Sequence, residues 1–251
     1  MPRFLLTPRW ILLFVFAVLV AGVCVRLGIW QLQRLDERRT YNAEVTAGLA
    51  QPTATAEDLF AHAGSDASAL AYRRAEATGT YDPPHEVLLY GRALDGEPGN
   101  HVLTPLVLSS GEVLLVDRGW VPIRLDTPPV AEAAPPSGTV TVTGVLQPGA
   151  EGGSAEIERD PSGRLLTVRE IDLGALSDEV GTELEPLYLL LETQDPPQPG
   201  ALPRPAPLPE LTEGPHLSYA LQWFTFATIA LIGFVILVRR EVKDRARAAS
   251  E

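Results

Sequence analysis

The sequence predicts a membrane protein in which two transmembrane helices flank a mainly β (α+β) extracytoplasmic domain. Three observations predict it. An apolar run from Trp10 to Trp30 is interrupted by Arg26 alone, a second from Leu217 to Val238 has no charged residue, and the chain between them holds short apolar or alternating runs separated by Gly, Pro, Asp and Ser. As a helix the second run covers roughly 33 Å, enough to cross a hydrocarbon core of about 30 Å. With 45% hydrophobic and 21% charged residues among 251, the chain suits one modest globular domain plus membrane segments better than two soluble domains.

Residues 1–9 read as a cytoplasmic N-terminus and 10–30 as the first transmembrane helix, with Trp at each end as in interfacial aromatic belts. Arg26 is close enough to the far end to reach the headgroups. Ala21-Gly22-Val23-Cys24 faintly resembles a lipoprotein cleavage site, but bulky Val23 stands where a small residue is wanted, so an uncleaved anchor is expected. No breaker follows Gly28, and the helix is expected to run on past the membrane. Gln31, Arg34 and Arg38 share a face. They read either as an exposed juxtamembrane helix touching anionic lipid or as a cationic edge able to hold carboxylates such as haem propionates.

Residues 31–215 form the predicted extracytoplasmic β-rich domain. Thr55-Ala56-Glu57-Asp58 looks like a capped helix start. Strands are predicted over 72–81, 86–90, 101–108, 112–116, 139–147 and 186–193, with a helix over 171–180. Thr139 to Thr143 alternates strictly, so one face should be wet; Val113 to Val116 does not, so that strand should be covered on both sides. Ser109-Ser110-Gly111 reads as a hairpin turn. Asp117-Arg118-Gly119-Trp120-Val121-Pro122 is expected to end the covered strand. Gly119 would permit a turn, Arg118 would pair with a carboxylate, and Trp120 would plug the core, the two side chains satisfying each other. A direct ligand role for them is the competing reading. Residues 123–138, with four prolines, and 195–215, with eight, are expected to be linkers rather than core. No repeat is apparent, and the strands cannot be ordered.

The second transmembrane helix is expected over 216–238, followed by a basic cytoplasmic tail, 239–251. Arg239, Arg240, Lys243, Arg245 and Arg247 follow this span, whereas Glu210 and Glu213 precede it, which places both termini in the cytoplasm. Arg34, Arg38 and Arg39 just outside the first span oppose this, with a smaller imbalance. At 100° per residue His216, Ala220, Trp223, Ala227 and Phe234 lie on one face with Tyr219 beside them. A potential metal ligand therefore tops a stripe of aromatic and small residues. His216 reads as an interfacial histidine or as a ligand.

Charge and composition exclude several functions. Residues 40–215 carry 27 acidic and 9 basic side chains, and such an acidic middle argues against nucleic-acid binding. A single cysteine, one methionine and four histidines leave no disulfide within the chain, no Cys-x-x-Cys-His for covalent haem and no copper or structural zinc cluster. His62, His85 and His101 read as surface or strand histidines. No nucleophile elbow, phosphate loop or metalloprotease motif occurs, so nothing argues for an enzyme.

Three stretches together resemble one family. They are Leu27-Gly28-Ile29-Trp30-Gln31 with Arg34, then His101-Val102-Leu103-Thr104-Pro105-Leu106 followed by Val116-Asp117-Arg118-Gly119-Trp120-Val121-Pro122, then His216-Leu217-Ser218-Tyr219-Ala220-Leu221-Gln222-Trp223-Phe224. In this order, and with both spans, the chain resembles the Surfeit locus protein family of assembly factors for haem-copper cytochrome c oxidase. The acidic 149–161 segment and the proline-rich linkers depart from the family pattern. The resemblance implies a non-enzymatic role in maturing oxidase subunit I, with transient binding of haem a in a bacterial plasma membrane. Haem a synthase and membrane lipid are the further partners it suggests. It makes His216 the haem-iron ligand, a neutral imidazole above an apolar stripe that could cover a porphyrin face. Tyr219, Trp223, Gln222, Trp30, Gln31 and Arg34 are then the surrounding cofactor-binding residues, and Gln222 requires a partner because a lone amide in lipid is costly. A cofactor-free membrane scaffold for an assembly intermediate is the alternative.

Overall fold

The computed structural model describes residues 3–63, 66–150 and 156–248 and divides into a helical unit, residues 1–43 with 210–251, and a β unit, residues 44–209. Residues 151–155 of the acidic segment lie outside the described residues, as do the first two residues and the last three.

Two long helices make the helical unit. α1 runs unbroken from Pro8 to Leu49, well past the apolar run, and its last residues belong to the β unit. α4 runs from His216 to Ala248. Both are long and apolar enough to cross a membrane. Their apolar windows are only 17% and 6% buried, and Leu12, Phe16, Leu19, Leu221, Ile229 and Ile232 stand exposed, unlike those of a helix in a soluble core.

The helices run antiparallel along a seam of small residues. Ala17, Ala21, Cys24 and Gly28 of α1 recur at the spacing of a single stripe, and Ala220 and Ala227 of α4 are 1% and 5% exposed against it. Gly28 is needed here: a Cβ on it would lie 2.6 Å from the Phe224 ring. Trp10 is not the free interfacial anchor expected from its position. It is 8% exposed, set edge-on to Phe4 and Phe234, and Phe14 meets Phe234 as well.

The β unit is built around a closed five-stranded barrel. Its strands are β2 (Arg74–Tyr81), β4 (Glu97–Leu108), β5 (Val113–Pro122), β6 (Thr139–Pro148) and β9 (Leu187–Asp195). They pair in the order β2-β6-β9-β5-β4, and β4 closes on β2 through Gly79 to Tyr81 opposite Leu106 to Leu108. Only β5–β9 is parallel within the ring. From β4 the sheet continues outward through β3 (Val87–Leu94), β8 (Leu165–Val168) and β7 (Glu156–Arg159), while the two-residue β1 (Ala54–Thr55) edges β2. The barrel interior is filled by Ala75, Ala77, Leu106, Leu114, Val116, Val142, Leu146 and Leu189. On the outer face α3 (Leu173–Val180) covers β3, β5 and β8 through Leu176, and Ile171 ahead of the helix joins the same cluster. α3 is capped by the Asp172 carboxylate and ended by Gly181 in the left-handed region. α2 (Ala56–Ala63) starts at Thr55, whose hydroxyl accepts from the Asp58 amide as expected.

Three expectations are corrected. The Asp117 to Pro122 motif ends its strand as expected, but Gly119 makes no turn there; it lies inside β5 at a bulge, where Arg118 and Gly119 face only Val102 across the ladder. Gly119 sits at φ +115, and a Cβ there would collide with the Arg204 carbonyl. Arg118 and Trp120 do not satisfy each other either. Arg118 stacks 5.1 Å from the Tyr81 centroid, and Trp120 is covered by Arg204 at 5.1 Å while its indole N–H donates to the Arg92 carbonyl. Finally, residues 123–138 and 195–206 are not free linkers, whereas 207–215 have no helix or strand and are mostly exposed. Val130 and Ala133 are 3% and 0% exposed in a core with Leu88, Val102 and Val121, and Leu202 packs on it.

The buried carboxylate paired with Arg118 is Glu86. Both side chains are 0% exposed. Glu86 accepts from the Val130 amide at 2.7 Å, from Thr104 at 3.1 Å and from Arg118 at 3.4 Å. Burial pushes its carboxyl above the usual range, and those donors oppose the shift.

A second acid is pushed higher. Burial, reinforced by Glu112, Glu183 and Glu57, takes Glu185 from 4.5 up to about 7. Its protonated form favours the folded state, so this contribution is complete below pH 4.5 and is lost as pH rises through about 7. Glu185→Gln is expected to raise the melting temperature at pH 8 by ~2–4 °C, for about 1 kcal/mol after solvent screening. At pH 5 the two proteins should melt together, which thermal scans at both values would check.

Candidate functional site

The site residues lie in the helical unit. His216 is the first residue of α4, and its Nδ1 lies 2.8 Å from Oε1 of Gln31 on α1. Against the Gln31 oxygen Nδ1 is the donor, and the neutral tautomer that makes this bond has its lone pair on Nε2. That bond ties the two helices at the level where the apolar runs end. Gly214, at φ +65, brings the incoming chain against the imidazole edge, where a Cβ would stand 3.5 Å from Nε2.

A clamp lies one step further along. Arg39 donates twice to the Glu213 carboxylate, at 2.8 and 3.0 Å. Those hydrogen bonds hold the exposed Glu213 carboxyl below its ordinary range. Together the seam, the Gln31 bond and the clamp fix the start of α4 against α1.

Most of the stripe predicted to cover a porphyrin is not available for that, and Trp223, half-buried, keeps an open edge. Ala220 and Ala227 are buried in the seam, Trp223 packs beside them, and Phe234 meets the aromatic rings of α1. The open surface is beside the seam. In an antiparallel pair at 100° per residue, Gln31, Arg34 and Trp30 project to the same side as His216, Tyr219 and Trp223. Trp30 and Tyr219 are 41% and 48% exposed there. Phe226 joins them, 42% exposed and edge-on to Trp223 at 5.9 Å, a residue the sequence reading passed over as ordinary span.

Arg34 is engaged from two sides. Its guanidinium lies 5.7 Å from the Trp30 centroid and 2.7 Å from the Glu37 carboxylate, and Arg38 stacks on Tyr41. The cationic edge is thus partly neutralised. Gln222 lies further round the helix, exposed, and its amide forms no hydrogen bond among the described residues. The partner it was expected to need is not found among the described residues.

The other histidines are held singly. His62 bonds to the Asp58 carbonyl, His85 to Asp82, and His101 to the buried Asp117 at 2.8 Å. Among the described residues no group of three His, Cys, Asp or Glu side chains could hold a metal ion.

A β-barrel domain with a long apolar helix before it and another after it in the chain, and an imidazole tied across that helix pair, is the class of protein these observations define. The chain belongs to the SURF1 family, whose model matches residues 18–228, and the resemblance drawn from the three motifs is thereby confirmed. Similar proteins include an uncharacterized SURF1-like protein of Mycobacterium tuberculosis, 32% identical over 254 residues, covering 98% of this chain and 90% of the relative. A SURF1-like protein of Rickettsia felis is 28% identical, covering 92% and 96%, and one of Monosiga brevicollis 27%, covering 88% and 85%.

Proposed function

We propose that this protein is an assembly factor for a haem-copper cytochrome c oxidase. In this reading it is a two-pass protein of a bacterial plasma membrane with both termini cytoplasmic, holding haem a for insertion into subunit I. The orientation rests on the basic side chains from Arg239 to Arg247. The observation that carries the site is the Gln31–His216 bond, because it aims one imidazole and leaves its Nε2 as a ligand atom. Haem a is cargo here: the protein grips iron through His216, offers Trp30, Tyr219, Trp223 and Phe226 as apolar cover, and sets Arg34 at the edge for a carboxylate. Gln222 faces outward, where it can meet the cargo or the receiving subunit. A single histidine on an open surface suits release.

The experiment is an absorption spectrum of the detergent-purified protein from cells that make haem a. The wild type should carry a haem band. His216→Ala should lose most of it at unchanged helicity, and Gln31→Leu should lose part. A mutant that keeps its haem overturns the ligand assignment.

The filled seam favours one second reading, a scaffold that binds an assembly intermediate without cofactor. A wild-type protein with no haem band, still co-purifying with an oxidase subunit, would select it.

A further inference from the structure

The mouth of the β barrel carries a feature that the helical site does not use. Arg118 follows Leu114 and Val116 on the inward face of β5, Tyr81 ends β2, and Gln194 lies near the end of β9. The three meet beneath Pro197, Pro203 and Pro205, around a cleft of about 270 Å³ lined by Arg118, Gln194 and Gln198.

Its hydrogen bonds leave two donors over. Arg118 is 2% exposed; Nη1 donates to Glu86, and Nη2 donates to the Ala133 carbonyl at 2.8 Å and Gln198 Oε1 at 2.9 Å. Its Nε–H has no partner among the described residues. Gln194 Oε1 accepts from the Tyr81 hydroxyl at 3.0 Å, and its buried Nε2 is likewise without a partner. Both unmade donors flank the same phenol ring, since the Arg118 guanidinium lies 5.1 Å from its centroid. Two other polar side chains of the wall are already engaged, and the Thr193 hydroxyl lines it as well. Glu192 is bound by Arg74 at 3.0 and 3.3 Å, and the Gln198 amide donates to the Ala134 and Leu202 carbonyls.

We propose that this cleft binds a carboxylate, one oxygen accepting from Arg118 Nε and the other from Gln194 Nε2. A carboxylate is the common group that brings two acceptor oxygens and no donor, one for each unmade hydrogen, whereas an alcohol or an amide brings a single acceptor oxygen. Proline rings and a volume this small fit a short aliphatic acid or the last residue of a peptide. Both sources share the same chemistry.

Calorimetric titration of the detergent-purified full chain tests this. The probes are sodium propionate, propionamide, and an N-acetylated tripeptide ending in alanine as free acid or as C-terminal amide. Saturable binding of an acid form, with the matching amide form silent, is expected. Propionate binding alone assigns the site to a small acid; binding of the peptide acid alone assigns it to a chain terminus. Gln194→Leu should weaken binding by about tenfold or more, from loss of one charge-assisted hydrogen bond. Arg118→Lys, checked for folding by circular dichroism, should abolish it. If no acid binds, if propionamide binds as well as propionate, or if Gln194→Leu binds unchanged, the proposal fails.

Discussion

Replacing Glu86 with leucine lowers the melting temperature of the β domain by roughly 6–20 °C. The change strands the Arg118 cation in a core where both side chains are fully covered, and an unpaired buried charge costs about 3–5 kcal/mol. It also leaves the Val130 amide and the Thr104 hydroxyl without their acceptor. The cost is one of desolvation rather than of lost attraction, so the double variant Glu86→Leu with Arg118→Met should recover much of the stability. Thermal denaturation of the three proteins checks it. A double variant as unstable as the single one would mean that the pair itself, not the stranded charge, holds the barrel mouth.

Gly28→Leu is expected to separate the helix pair. The Phe224 ring occupies the space a side chain would take, with ring atoms 2.6 to 3.0 Å from a Cβ. Alanine there is tolerable because the ring can swing aside, but a leucine overfills the seam by an amount that typically costs 1–3 kcal/mol. Cys24, one turn away and 6% exposed, reports the result. Maleimide labelling of this thiol should be slow in the wild type and in Gly28→Ala and at least severalfold faster in Gly28→Leu. The haem band proposed above should fall in step, because parting the helices breaks the Gln31–His216 bond. Unchanged labelling would show that the seam accommodates the side chain and that Gly28 has another role.

The sequence made the barrel strands readable because burial repeats every two residues along them. Thr139 to Thr143 alternates in burial, and Val113 to Val116 is covered throughout, both as their patterns require. β7 and β8 were missed, being four residues each beside an acidic stretch, although Asp160-Pro161-Ser162-Gly163 between them is a turn signal that could have found them. The bulge at Arg118 and Gly119 was hidden too, since its cause is the approach of Arg204 from far along the chain. Proline content misled over 123–138 and 195–206, where chain without regular hydrogen bonding still supplies core side chains. In the helical unit the periodicity found the right face of α4 but not its occupant. Small residues spaced by three and four read alike whether they meet a ligand or a neighbouring helix, and the matching stripe on α1 decides for the helix.

The position of β9 between β5 and β6 has a consequence for synthesis. Every other barrel strand precedes it, so a nascent chain that stops before residue 187 presents two open strand edges with no means of joining them. Until the ribosome has delivered residues 187–195, the domain is a template for unwanted strand pairing. Nonsense truncations that spare the first four-fifths of the barrel's strands should therefore yield aggregate rather than a weakened domain.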